Sequence, residues 1–130
     1  LFILISGSAF GQIKVIQFNA GWNKANEAPW VNKLTDCNTV AYVDISTDKE
    51  AQSKYKIAVI PTIIVFKDNE EVARFQADLS FKTVATREEV QEEIDNQLMS
   101  DFYEKITTTI IITIHAVRAN LCPYNYCYKP

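Results

Sequence analysis

Three glycines and one histidine are all that 130 residues contain of those types. Glycine-rich phosphate loops need several residues without a Cβ, where backbone N–H groups close on the anion, so they are nearly excluded. One histidine excludes a His–His metal site within the chain. Three cysteines are an odd count and too few for a disulfide scaffold. A basic excess is missing too. Thirteen Lys and Arg face sixteen Asp and Glu, a net charge of −3, which argues against nucleic acid as a partner held through its phosphates. No apolar run approaches the roughly 18 residues of a membrane span. What is present is 48% hydrophobic and 12% aromatic, the composition of one globular domain able to build its own core.

Charge is spread unevenly. All sixteen acids lie between Glu27 and Glu104, and the first twelve residues carry none. From Ile13 to Ile106 eleven bases meet those sixteen acids, a net −5. Beyond Thr107 only Arg118 and Lys129 are charged. The pattern predicts a domain over residues 12–104, with 1–11 and 105–130 as additions. Leu1 to Ile5 is apolar, and Ala9 and Gly11 stand two apart as a signal-peptidase site requires, so 1–11 reads as the end of an export signal. A buried strand or foreign residues are the other readings, and the compartment follows whichever holds: exported or intracellular. Ile106 to Val117 is β-branched almost throughout and predicts an added edge strand.

Within the domain, Ile13–Phe18 reads as a buried strand, and Asn19–Asn23 breaks it. A helix is expected next, capped by Asn23 or Asn26, whose side chains accept from first-turn N–H groups. Trp30 and Leu34 give it a buried stripe. Thr39–Ile45 is a second strand. Thr47-Asp48-Lys49-Glu50 has the form of a capping box opening a short helix. Pro61 stops pairing before a strand at Thr62–Phe66. A turn at Lys67–Glu70 and alternation over Val72–Ala77 complete a hairpin. Thr86-Arg87-Glu88-Glu89 is another capping box, followed by Val90, Ile94, Leu98 and Phe102 on one helical face. The expected fold is α/β, a mixed four-stranded sheet in the order β-α-β-α-β-β-α with helices on both faces.

Three segments carry a resemblance: Val15–Trp22, Val43–Ile57, and Ile60-Pro61-Thr62 through Asp68. In this order and spacing the chain resembles the thioredoxin family over residues 12–104, without that family's first strand and helix. The resemblance implies that Pro61 is cis and that Ile60 before it offers backbone groups to an extended peptide or protein partner. With Trp22 and Thr62 these form the expected binding face; the other reading is that Pro61 and Trp22 are kept as fold elements alone. The same alignment sets Asn23 and Asn26 at the two cysteine positions of the family's Cys-x-x-Cys, and Gln17 at its buried acid. Amides supply neither a low-pKa thiolate nor a resolving thiol. The resemblance thus implies a domain without dithiol–disulfide exchange, acting as a binding or accessory module.

The alternative is a monothiol oxidoreductase in cell redox homeostasis using Cys37, a residue whose ordinary reading is a small buried hydrophobe. Cys122 and Cys127 with His115 match no standard zinc spacing, and a disulfide or two free thiols is the simpler reading. Nothing in the sequence calls for a cofactor or a metal.

Overall fold

The structure is a computed structural model that describes residues 11–120. The reading of residues 1–11 as a signal remnant falls, all but Gly11, outside the described residues, as do the readings of Cys122 and Cys127. Strand β1 (Ile13–Asn19) lies inside the sheet, between β2 (Thr39–Asp44) and β3 (Thr62–Lys67), and β4 (Glu70–Gln76) forms an edge. The order is β2-β1-β3-β4, with β1 and β2 parallel and the other two pairings antiparallel. Four apolar residues, Ile13, Val15, Ile16 and Phe18, suit β1 to this inner place, and six of its seven residues are buried.

Period-two alternation divides the core between the faces. Ile13 and Val15 of β1 and Ile63 and Val65 of β3 meet Val31, Leu34, Val90 and Ile94. Ile16 and Phe18, with Ile64 and Phe66, meet Ile45, Ala51 and Ile57. The β3–β4 hairpin turns at Asp68 and Asn69, both at positive φ (51° and 68°), as a two-residue turn matched to strand twist requires. A register shift follows at Val65/Phe66.

Helix α1 (Lys49–Lys54) is capped by Asp48, whose carboxylate accepts from the Ala51 N–H at 2.8 Å. The cap thus sits one residue later than the Thr47 box suggested, because the Thr47 hydroxyl donates instead to the Asp44 carbonyl. At α2 (Arg87–Asn120) the capping box forms reciprocally between Thr86 and Glu89.

Two expectations are corrected. No α-helix follows β1. Two 3-10 helices, Gly21–Asn26 and Pro29–Lys33, take its place, and neither start has a side-chain cap, so Asn23 and Asn26 are not helix caps. Pro29 at the second start and the short span before β2 leave room for single turns only. The other correction concerns Ile106–Val117, which is helix and not an edge strand. The hydroxyls of Thr107, Thr109 and Thr113 each donate to the carbonyl four residues back, so these residues find their partners within the helix. Extending a helix already nucleated also costs far less than starting one.

Contacts divide the chain into a unit ending at Leu98 and a second beginning at Met99. Among the described residues no helix is long and apolar enough to cross a membrane.

Candidate functional site

At the carboxyl end of β1 the chain leaves the sheet through Ala20 into the first 3-10 helix, and three amides gather there. Asn19 is fully buried and Asn23 nearly so. Asn23 Nδ2 donates to Asn19 Oδ1 at 3.0 Å and to the Phe81 carbonyl at 3.2 Å. Asn19 Nδ2 donates to the Asn23 carbonyl at 3.2 Å, and Asn26 Nδ2 donates to Asn23 Oδ1 at 2.7 Å. Buried polar groups cost free energy unless bonded, and here each amide completes the next. Gln17 performs a similar task farther back. With its amide turned to satisfy both groups, it accepts from the Ala28 N–H at 2.8 Å and donates to the Ala28 carbonyl at 3.2 Å.

Asp44, at the end of β2, holds the loop from the other side. Its carboxylate accepts from the Ser46 hydroxyl and from the Ser46 N–H, the latter at 2.8 Å. The Ser46 hydrogen bonds lead the causes that push its pKa down, since they favour the charged form. A Cβ on Gly21 would lie 3.1 Å from the Asp44 carboxylate, which would have to give by a few tenths of an ångström to admit it.

Trp22 projects from this loop with 69% of its surface exposed. Phe81 meets it edge to face, ring centres 5.4 Å apart, on a backbone at φ 59° that the Asn23–Phe81 hydrogen bond helps fix. Beside the pair lies an open cleft of about 250 Å³, walled by Ala20, Trp22, Ile45, Ile60 and Phe81 and edged by Ser46, Lys49, Gln52 and Ala58.

The four residues expected to form a binding face divide. Trp22 and Ile60 line the cleft. Pro61 and Thr62 are fully buried behind it. The Ile60–Pro61 peptide is cis, the Pro61 carbonyl accepts from the Ala77 N–H at 3.0 Å, and the Thr62 hydroxyl donates to the Val59 carbonyl at 2.6 Å. Among the described residues nothing hydrogen-bonds the Ile60 N–H or C=O. Phe81 has no signal in sequence, since its place depends on a loop folding back from β4.

No family model matches the chain, and no curated protein matches it. Solved structures do. A single-substitution mutant of thioredoxin from Halobacterium salinarum NRC-1 superposes with a TM-score of 0.55 at 20% identity, covering 67% of this chain and 75% of that one. Fasciola hepatica thioredoxin gives 0.51 at 26% identity over 67% and 82%. The reduced Schistosoma mansoni thioredoxin pre-protein gives 0.52 at 25% over 67% and 80%. The fold is that of thioredoxin.

Within this thioredoxin fold, Cys37 lies far from the cleft. It precedes Asn38, whose N–H bonds the Ile13 carbonyl at the opposite end of β1, whereas Phe18 pairs with Thr62 at the cleft end. Five residues of strand rise separate Ile13 from Phe18, about 17 Å. The thiol is half-buried against the core, 3.9 Å from the Leu34 carbonyl, and burial leads the causes that raise its pKa. His115 stands on α2, its Nδ1 3.0 Å from the Ile111 carbonyl. Among the described residues no cluster of three His, Cys, Asp or Glu is placed to hold a metal ion.

Proposed function

We propose that this thioredoxin-fold chain is a binding module for an extended polypeptide, without dithiol–disulfide exchange. The observation that carries this reading is the cleft walled by Trp22, Phe81 and Ile60, with the unbonded Ile60 peptide groups beside it. An extended segment pairs through its own backbone with such groups, as in strand addition, and seats one apolar side chain in the cleft. Burying that side chain contributes about 1.5–3 kcal/mol. No thiol takes part. Asn23 and Asn26 stand at the dithiol positions of the resemblance, and their amides are occupied with each other and with Asn19.

The experiment is selection of a displayed random-peptide library on the full chain, with the Trp22→Ala variant as counter-selection, beside an insulin-reduction assay with a thiol donor. Trp22 is largely exposed, so its truncation leaves the fold standing. Peptides with a shared apolar position, bound by the wild type and lost on the variant, are expected, with no insulin turnover. Insulin turnover at a dithiol thioredoxin's rate, abolished by Cys37→Ser, overturns the reading, as does a library that yields nothing dependent on Trp22.

A further inference from the structure

The second unit, from Met99, is helix as far as Asn120 and carries apolar side chains that face water. Met99, Tyr103, Ile106, Ile110, Thr113 and Val117 are spaced 4, 3, 4, 3 and 4 apart, the period of a coiled-coil seam with a at Tyr103 and d at Ile106. The five apolar members are each between 39% and 61% exposed. Phe102 and Ile114 flank them at g and e and are about half exposed. The seam's one polar member, Thr113, has its hydroxyl already bonded to the Thr109 carbonyl, so it can be covered at little cost.

Charge follows the same register. Every ionisable group of an acid, base or histidine in this stretch (Asp101, Glu104, Lys105, His115 and Arg118) falls at b, c or f. None falls at a, d, e or g. We infer that this helix pairs with the same helix of a second copy of the chain. The absence of charge at e and g decides the occupant. Two identical helices meet there without like-charge repulsion, and nothing at these positions selects an oppositely charged foreign helix. The seam is about 27 Å long at 1.5 Å per residue, under three heptads, so association on the order of micromolar is expected.

The test is the mass of the full chain by sedimentation equilibrium, across a concentration series through the micromolar range, for wild type and two variants. Ile110→Glu puts a charge in the seam. Ile112→Glu puts the same charge at position c, where the isoleucine is at least as exposed, at 64% against 52%. A wild-type monomer–dimer equilibrium, weakened about a hundredfold by Ile110→Glu and retained by Ile112→Glu, is the expected result. A monomer throughout overturns the inference. So do equal effects of the two variants, which indicate non-specific adhesion, and a chain that stays monomeric but binds phosphatidylcholine vesicles. Far-UV circular dichroism of each variant checks that the domain is folded. If Ile110→Glu unfolds it, Ile110→Asn serves as the seam variant.

Discussion

Replacing Asn23 by alanine removes three side-chain hydrogen bonds at once: to Asn19, to the Phe81 carbonyl and from Asn26. The costs differ. Asn26 and the Phe81 carbonyl are partly exposed, and water replaces much of what they lose. Asn19 is fully buried, and Asn23 is the group that bonds its Oδ1. Leaving that oxygen without a donor costs about 1–3 kcal/mol, and the other two losses bring the expected total to about 2–4 kcal/mol. Against a typical stability of about 5–15 kcal/mol this is a large fraction. Urea unfolding, followed by both circular dichroism and tryptophan fluorescence, measures it as a lowered midpoint. The companion experiment is the cycle with Asn19→Ala. In the double variant the buried Asn19 Oδ1 is gone together with its donor, so the two single costs together exceed the double variant's by about 1–2 kcal/mol. A loss below about 0.5 kcal/mol for Asn23→Ala, or strict additivity in the cycle, would refute the claim that these amides hold the loop.

Other outcomes follow from single groups. The folded-state pKa of Asp44 is depressed, so its contribution to stability is present above the unfolded pKa and is lost as pH falls through the folded one. Acid titration of the Asp44→Asn variant should therefore show a smaller pH dependence of the urea midpoint than wild type. Burial raises the Cys37 pKa, which keeps the thiol protonated further into alkali. Alkylation of Cys37 should be slower in the folded chain than in urea, and a folded rate matching the unfolded one would contradict the placement. Asn69 sits at φ 68°, so Asn69→Val should cost about 1–2 kcal/mol in the urea midpoint while Asn69→Gly leaves it unchanged or higher.

The sheet was legible in the sequence because each strand announces itself locally. Ile13–Phe18 and Thr62–Phe66 are β-branched runs bounded by turn residues, and strand and capping signals depend on neighbours a few places away. The site was legible only in part. Trp22 and Ile60, both expected at a binding face, line the cleft, but Phe81 joins them through a hydrogen bond spanning 58 residues, which no local pattern encodes. Asn23 and Asn26 show the opposite error. Asparagine before a helical stretch is a good cap, yet here the amides turn inward because Asn19 is buried beneath them and needs a partner. The tail failed for a third reason. Ile110, Ile111 and Ile112 have high strand propensity, but a helix already running from Thr86 and the back-bonded threonines outweigh it.

The amide ladder at the end of β1 also determines what the cleft can sense. Asparagine and glutamine neither gain nor lose a proton across the physiological range and exchange no electrons. The hydrogen bonds of Asn19, Asn23, Asn26 and Gln17 therefore keep one covalent state whether their surroundings are oxidising or reducing, and Asp44 on the other side of the loop is the group that answers to acid. A dithiol at this position would change the shape of the neighbouring surface each time it opened or closed. The amides at these positions undergo no such change.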